Sequence, residues 1–319
     1  MNDKVVKALE QARRDRGLKD PERPAPRAPR VSKPVAVSSP PTMIFPPPSP
    51  VPPSPLRPFK AAPDGIDAHL VSLLDPISFG AEQYRTLRYV VEQAHRIEQL
   101  SILAVTAPTV GDGKTTTAIN LAGALAQASD ARVVLIDADL RRPALHRYLG
   151  LGEARRGLAD AILDSTLTLV DVVRPCPPFN LSVLPGGTPS PSPYELLKSP
   201  RLGQLFEEAR LQYDYVVVDT PPLLPVPDSR IIGKHVDGFL LVVRAHKTPT
   251  KLFEEAARVL DSSKVFGVVF NESDEASLDD SYTAGYAASS PNGGAPTKGV
   301  VKRFFANRRD GRRRGIASR

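Results

Sequence analysis

Six short apolar runs divide the middle of this chain, and stretches with helical character lie between them. The runs are continuous rather than alternating, which indicates strands that are buried on both faces. Such strands are typical of a mainly parallel sheet with helices on each side. The runs are residues 101–107, 131–139, 180–185, 213–220, 237–245 and 265–271. We therefore predict an α/β domain with a doubly wound, mainly parallel sheet over residues 61–272.

The composition changes sharply on both sides of this predicted domain. Residues 21–60 hold 15 of the 34 prolines, a density that excludes helix and sheet and predicts a disordered linker. We interpret it as a spacer, with binding of its PPSP motifs to an SH3-like domain as the alternative. Residues 1–20 are predicted to form a short amphipathic helix that either docks on a partner or frays. Residues 273–319 are predicted to be a flexible, disordered tail with a basic end.

The net charge of +7 is distributed unevenly along the chain. Residues 1–60 carry +7 and residues 298–319 carry +8, which leaves −8 between them. An acidic centre with basic ends argues against a uniformly basic nucleic-acid-binding protein. The single cysteine, Cys176, excludes an intramolecular disulfide and a cysteine-based metal site. No apolar run approaches the roughly 20 residues that span a bilayer, and the N-terminus does not resemble a secretory signal, so we expect a cytoplasmic protein.

The first apolar run leads into a sequence that resembles a P-loop. Glycines let such a loop curl its N–H groups toward phosphate oxygens, and the following helix adds partial positive charge. Lys114 is expected to reach the β- and γ-phosphates, and the Thr115 hydroxyl can bind Mg²⁺. The usual pattern has a glycine where this chain has Pro108, so the match is incomplete. The predicted nucleotide-binding residues of this segment are Gly111, Asp112, Gly113, Lys114, Thr115 and Thr116.

Three aspartates follow two other predicted strands. Asp137 and Asp139 end one strand, and Asp219 ends another. Ligands of open parallel sheets bind at the carboxyl ends of the strands, so the three acids should lie beside the phosphates. Carboxylate and hydroxyl oxygens are the ligands that Mg²⁺ prefers. Each aspartate alone could instead cap the helix or turn that follows it, but three together with a P-loop favour a nucleotide site.

Residues 68–272 as a whole resemble the bacterial tyrosine kinase (BY-kinase) family of capsule and exopolysaccharide synthesis. TAPTVGDGKTTTAINLA is similar to the Walker A motif of that family, VVLIDADLRRPALH (133–146) to its Walker A′ motif and YDYVVVDTPP to its Walker B motif. LPGGTPSPSPYELLKS (184–199) resembles its proline-containing loop and the helix after it. AEQYRTLR (81–88) resembles its oligomerisation helix. The resemblance implies a P-loop NTPase of the Walker A/A′/B type.

The resemblance also implies roles for individual residues. Lys114 would stabilise charge on the transferring phosphoryl group, and Asp137 is the better candidate for the base, with Asp139 beside it. Thr115 and Asp219 would hold Mg²⁺, and Asp137 would help to position it. Further implied residues are Asn271 at the adenine, Glu82, Arg85 and Arg88 in a subunit contact, and Tyr282 and Tyr286 as autophosphorylation sites.

The implied function is that of an ATP- and Mg²⁺-dependent protein-tyrosine autokinase that regulates exopolysaccharide or capsule synthesis or export. Copies would act on one another in a ring-shaped homo-oligomer, with a transmembrane polysaccharide co-polymerase as activator. One alternative is a positioning ATPase of the Mrp/MinD/ParA kind, whose KGGxGKT loop has a lysine where this chain has Thr109. The other is a non-catalytic regulator that binds nucleotide, favoured only by the small number of tail tyrosines.

The basic end of the chain has its own predicted role. Nine basic residues between Lys298 and Arg319 surround an apolar group that includes Phe304 and Phe305. This combination suits an anionic membrane surface, so we expect a peripheral location at the inner face of the cell membrane. A role in solubility is the alternative, and binding to nucleic acid, whose phosphates the RRDGRRR sequence would also attract, is the less favoured rival.

Overall fold

The computed structural model describes residues 65–152, 156–273 and 299–300. The predicted helix (1–20), the proline-rich linker (21–60), Tyr282, Tyr286 and nearly all of the basic end lie outside this part. Within it, no helix combines the length and the apolar character needed to cross a membrane.

Eight strands form one sheet in the order β3-β4-β2-β5-β1-β6-β7-β8. Its six inner strands pair in parallel, and β3 and β8 pair antiparallel at the two edges. All six predicted strands are present, which confirms the mainly parallel α/β prediction. The strands are β1 (Ile102–Thr106), β2 (Val133–Asp137), β3 (Arg174–Pro175), β4 (Ser182–Leu184), β5 (Tyr215–Asp219), β6 (Gly238–Arg244), β7 (Val265–Asn271) and β8 (Gly299–Val300).

Ten α-helices in the described residues cover the two faces of the sheet. They are α1 (Val71–Leu74), α2 (Phe79–Glu98), α3 (Lys114–Leu125), α4 (Leu145–Tyr148), α5 (Leu158–Leu163), α6 (Leu169–Val172), α7 (Pro193–Leu197), α8 (Pro200–Gln212), α9 (Asp228–Ile232) and α10 (Thr250–Val259), with a short 3₁₀ helix at Ser262–Lys264.

Each face of the sheet has its own hydrophobic core. Val216 and Val218 of β5 pack in one core, where Phe206 of α8 is fully buried. Val217, the residue between them, packs in the other core with Leu121 of α3. Successive side chains of a strand point to opposite faces. Burial of all three therefore explains why the strands read as continuous apolar runs in the sequence.

Helix α2 braces α3 from outside the sheet. Its N-cap, Ser78, accepts a hydrogen bond from the Ala81 amide, and its buried Leu87 belongs to the core shared with α3. Arg88 donates to the Ala124 carbonyl in the last turn of α3 at 2.9 Å. Because terminal helix carbonyls lack partners inside the helix, this bond fixes α2 against α3, whose other end carries the candidate site.

Candidate nucleotide site

The chain turns from β1 into α3 through a glycine loop. Gly111 and Gly113 have φ values of 90° and 97°, a left-handed backbone conformation that favours glycine. A Cβ atom at Gly113 would also overlap the Asn271 side-chain amide. The loop ends at Lys114, where α3 begins. Its first-turn N–H groups therefore carry the partial positive charge that binds phosphate.

Lys114 joins the P-loop to two other strands. Its Nζ lies 3.1 Å from Asp139 Oδ2, after β2, and 3.5 Å from Asp219 Oδ1, at the end of β5. It also donates to Thr115 Oγ1 at 3.2 Å. Burial lowers the pKa of Lys114, but attraction to Asp219 and Asp139 outweighs this effect and raises the pKa above its usual value. The ammonium group is therefore a fixed positive charge at the carboxyl edge of the sheet.

Asp137 is the most unusual carboxyl group of the site. It is fully buried, and its Oδ2 accepts hydrogen bonds from the Ala144 and Leu145 amides at 2.8 and 3.0 Å. Its Oδ1 is a buried acceptor without a hydrogen-bond partner in the described part of the chain. Burial, together with the charge of Asp219 in the paired strand position, raises the pKa of Asp137 to about 7. It can therefore change protonation state near neutral pH.

The donors present fit a magnesium ion bound together with a nucleotide. The Thr115 hydroxyl donates to Asp219 Oδ2 at 2.7 Å, which places a hydroxyl and a carboxylate side by side. Burial raises the pKa of Asp219, although Lys114 opposes this effect. No three carboxylate, imidazole or thiol groups of the described residues converge to hold a metal by themselves. Mg²⁺ usually takes one or two carboxylates and completes its shell with phosphates and water, so this is a donor set that it accepts.

The Asp112 side chain is bound to other residues of the protein, although its position in the P-loop suggests contact with a nucleotide. Its Oδ2 accepts hydrogen bonds from the amide and hydroxyl of Thr109, both at 2.9 Å. Its Oδ1 accepts from the Thr248 hydroxyl, in the loop between β6 and α10, at 2.7 Å. The carboxylate is thus used to hold the loop, and contact with a nucleotide through the Asp112 backbone stays a prediction. Sequence reasoning missed Thr248 because no motif marks it.

A cavity of about 1090 Å³ opens above the P-loop. Lys114, Thr115 and Thr116 line it on one side and Asn271 on another. The Asn271 amide donates to the Asp112 carbonyl at 3.1 Å, so this side chain lies against the P-loop backbone. Its predicted contact with adenine remains a prediction. The volume is ample for a nucleotide and for part of a second substrate.

The loop after β2 is fixed by an ion pair that sequence reasoning missed. Arg141 binds the fully buried Asp228 of α9 through two hydrogen bonds, of 2.6 and 3.1 Å. A bidentate arginine–carboxylate pair holds both partners in one geometry. It therefore orients the segment that carries Asp139. The two residues are 87 positions apart, and no local pattern links them.

The residues of the predicted subunit contact lie on α2, and none of them lines the cavity. Arg85 forms an ion pair with Glu82 and donates to the Pro76 carbonyl at 2.8 Å. Arg88 is bound to Glu92 at 2.6 Å and to α3 within its own chain. Glu82 and Arg85 are thus about half exposed, whereas Arg88 is largely covered.

The fold and the site define a P-loop nucleotide-binding protein. The sequence matches the CobQ/CobB/MinD/ParA nucleotide binding domain family over residues 103–311. It is 37% identical over 208 residues to the tyrosine-protein kinase YwqD of Bacillus subtilis, a match that covers 65% of this chain and 86% of that one. The kinase domain of the Escherichia coli tyrosine kinase ETK superposes with a TM-score of 0.60 at 31% identity, covering 67% of this chain and 82% of that one. The chain therefore belongs to the bacterial tyrosine kinase family.

A third relative carries a name from polysaccharide synthesis. The succinoglycan biosynthesis transport protein ExoP of Rhizobium meliloti is 33% identical over 204 residues, which cover 62% of this chain. The match spans 26% of the length of ExoP. The matched part of this chain thus corresponds to about a quarter of ExoP and to most of the Bacillus kinase.

Proposed function

We propose that this protein is an ATP-dependent protein-tyrosine kinase that phosphorylates other copies of itself and regulates exopolysaccharide or capsule synthesis or export. The observation that carries the proposal is the convergence of Lys114, Thr115, Asp219 and the buried Asp137 at one edge of the sheet. The names of the relatives support tyrosine as acceptor and a polysaccharide pathway as context.

The chemistry follows from the groups present. ATP would lie with its phosphates on the P-loop, and Thr115 and Asp219 would hold Mg²⁺. The bound metal neutralises charge on the phosphate oxygens. Lys114 stabilises the negative charge of the transferring phosphoryl group, an electrostatic effect that is strong in a site with little water. Asp137, with a pKa near neutrality, is the proposed acceptor of the phenol proton. Since it is buried and does not line the cavity, the phenol would have to reach its Oδ1, the oxygen without a hydrogen-bond partner in the described residues.

The loop composition favours the kinase over a positioning ATPase. The residue at the place of the additional lysine is Thr109, and its hydroxyl is bound to Asp112 of the same loop. A neutral, internally bonded side chain cannot supply the charge that a lysine would bring to a nucleotide.

The acceptor tyrosines are proposed to be Tyr282 and Tyr286. The chain has eight tyrosines, and the other six lie in helices or strands or directly at their ends. A tyrosine fixed in such an element cannot extend into the cavity of another copy without local unfolding. The six tyrosines held in this way are Tyr84, Tyr89, Tyr148, Tyr194, Tyr213 and Tyr215. The acceptors are therefore proposed to lie in the segment after β7.

The decisive experiment incubates the purified full chain with Mg²⁺-ATP and the cytoplasmic tail of a transmembrane co-polymerase. An anti-phosphotyrosine blot should show a signal that depends on ATP, on Mg²⁺ and on Lys114. A protein that hydrolyses ATP but gives no phosphotyrosine with any co-polymerase tail would refute the kinase and support the ATPase.

The location is part of the proposal. The basic end should bring the protein to the anionic inner face of the membrane, where the activator lies, because each basic residue near such a surface adds up to about 1 kcal/mol. Deletion of residues 298–319 should move the protein from anionic liposomes to the supernatant, and raised salt should do the same to the full chain. Continued sedimentation of the shortened protein with liposomes would remove this role.

A further inference from the structure

The wall of the nucleotide cavity carries more positive charge than its own carboxylates neutralise. Six lysine and arginine residues line it, and four of them are paired within the chain. Lys114 pairs with Asp139, Arg141 with Asp228, and both Arg244 and Lys247 with Glu272. The other two are Arg142 and Arg147.

Arg142 and Arg147 are both exposed and lie between β2 and the end of α4. In the described part of the chain neither forms an ion pair. The Arg147 guanidinium makes a long hydrogen bond of 3.5 Å to the Pro143 carbonyl. The cavity-lining carboxylates have other partners, because Asp67 is bound to His69, Asp139 to Lys114 and Glu272 to its two cations. The two guanidinium groups are thus free to bind a negatively charged ligand.

Their place relates them to the reacting end of the nucleotide. The Arg142 amide donates to Asp139 Oδ1 at 3.2 Å, and the other oxygen of that carboxylate is 3.1 Å from Lys114 Nζ. One carboxylate group therefore separates the Arg142 backbone from the P-loop lysine. Arg142, Arg147 and Lys114 line the same cavity, so a ligand held by the two arginines lies in the cavity where phosphoryl transfer would occur.

We propose that Arg142 and Arg147 bind the carboxylates of an acidic tyrosine segment, residues 279–282 of a second copy of this chain. This inference rests on the proposed kinase function. Asp279 and Asp280 directly precede Ser281 and Tyr282, so they lie about 7–10 Å before the tyrosine in an extended chain. At this distance from the tyrosine, each carboxylate can contact a guanidinium group of the cavity wall while the phenol enters the site. Charge around the tyrosine would then select the acceptor.

The ligand is expected to be the peptide rather than the nucleotide because the phosphates have other partners. The P-loop amides, the N-terminus of α3 and Lys114 already provide the groups that bind a triphosphate. Arginine is suited to carboxylates because its planar group forms two parallel hydrogen bonds with them.

The test compares two labelled peptides of residues 277–288 by fluorescence anisotropy on the full chain with Mg²⁺-ADP. One peptide has the natural sequence, and the other carries Asp279→Asn and Asp280→Asn. The wild-type protein should bind the natural peptide roughly three to thirty times more tightly at low salt, as expected for two exposed ion pairs. This ratio should fall to about one in the Arg142→Gln/Arg147→Gln protein. The segment of the protein itself competes equally with both peptides.

Two further proteins sharpen the test. The matched control is Arg258→Gln, which changes an exposed arginine of α10 outside the cavity and should keep the wild-type ratio. The Arg142→Glu/Arg147→Glu protein should instead prefer a peptide with lysine at positions 279 and 280. Such a reversal would show that the charges at the two pairs of positions interact with each other.

The outcomes separate this inference from the kinase proposal. A ratio near one in the wild type, or an unchanged ratio in the double glutamine protein, overturns the inference whether or not phosphotyrosine forms. Weaker ADP binding with an unchanged peptide ratio would assign the arginines to the nucleotide and also overturn it. Charge-dependent peptide binding without phosphotyrosine would support the docking surface and refute the kinase.

Discussion

The Thr115 hydroxyl donates a hydrogen bond of 2.7 Å to Asp219 Oδ2, which connects the first turn of α3 to the end of β5. Lys114 lies next to this pair, 3.5 Å from the other oxygen of the same carboxylate. Because one aspartate thus holds both P-loop side chains, the positions of the lysine and the hydroxyl depend on each other.

Lys114→Met should reduce autophosphorylation by a factor on the order of 10²–10³, because the positive charge facing the phosphoryl oxygens is lost. Methionine fills a similar volume but leaves Asp139 and Asp219 without their cation, so the variant should be folded but less stable than the wild type. Anti-phosphotyrosine blotting and circular dichroism measure the two effects. Lys251→Met, which changes an exposed lysine of α10, serves as the control and should leave the phosphotyrosine signal at the wild-type level. An equal loss in both variants would contradict a specific role of Lys114.

Asp137 should make the stability of the nucleotide-free protein fall as the pH rises. An unfolded aspartate ionises near pH 4, whereas the pKa of Asp137 in the fold is about 7. Between these values the folded protein keeps a proton that the unfolded chain has released, so stability is lost as the pH increases through this window. Asp137→Asn removes this titration, so the variant should lack a pH-dependent loss of stability on the order of 2–4 kcal/mol. The side-chain amide oxygen of the asparagine can still accept hydrogen bonds from the Ala144 and Leu145 amides.

Thermal unfolding of both proteins at about pH 4.5 and pH 8 measures this difference. The asparagine variant should be the more stable protein at the higher pH and should lack kinase activity. Equal changes in both proteins would show that Asp137 does not titrate in this range.

The carboxylate of Asp112 should matter for nucleotide affinity without touching the nucleotide. Asp112→Ala leaves the Thr109 amide, the Thr109 hydroxyl and the Thr248 hydroxyl without their acceptor. Loss of such buried bonds costs about 1–3 kcal/mol, part of which should appear as ADP binding weakened by roughly 3- to 30-fold. Calorimetric titration of Mg²⁺-ADP measures the affinity.

Asp261→Ala is the matched control for this change. Asp261 accepts from the amide and hydroxyl of Ser263 in the same way, but far from the P-loop in sequence and outside the cavity lining. Its removal should leave ADP affinity unchanged. If both variants bind ADP like the wild type, the loop does not depend on Asp112.

Replacement of Arg85 and Arg88 by alanine should yield monomers on size exclusion, with ATP binding retained because the P-loop is intact. The two arginines should contribute differently to this change in assembly. Arg88 is bound within its own chain, whereas Arg85 is about half exposed. Arg85→Ala alone should therefore produce most of the change in elution, and Arg88→Ala mainly a loss of stability. Arg96→Ala, at an exposed position of the same helix, should elute like the wild type. If the double variant elutes at the wild-type volume, these residues do not form a subunit contact.

Mass spectrometry after incubation with Mg²⁺-ATP should find phosphate mainly on Tyr282 and Tyr286. Each phosphate adds about −1.5 to −2 charges beside Asp279 and Asp280, and the added repulsion should weaken association between copies. The double phenylalanine variant should lose most of the phosphotyrosine signal. Phosphate found mainly on Tyr84 or Tyr194 would contradict this assignment.

The strands and the P-loop could be predicted from the sequence because their signals are local. A strand buried on both faces needs continuous apolar residues, and a loop that binds phosphate needs glycines before a helix. Strand β3, with only Arg174 and Pro175, has no such pattern, since it exists only by pairing with β4.

The network around the site was not predictable for a related reason. Asp112 and Thr248 are 136 residues apart, and Arg141 and Asp228 are 87 apart. Their contacts arise only when the sheet brings distant loops to one edge. The raised pKa of Asp137 likewise depends on burial and on the strand register opposite Asp219. The sequence marks the aspartates as chemical candidates but does not show which of them has its pKa raised to about 7.

The short chain between Glu272 and Tyr282 sets a distance limit on any assembly that phosphorylates Tyr282. Asn271, the last residue of β7, and Glu272 both line the cavity, so the limit is measured from the cavity itself. Tyr282 is ten residues beyond Glu272, which lines that cavity, and ten residues extend at most about 33–36 Å. A neighbouring copy can receive this tyrosine only if its catalytic cavity lies within that radius of Glu272. The length of this segment alone therefore excludes assemblies in which the cavity of the neighbouring subunit is farther away than this.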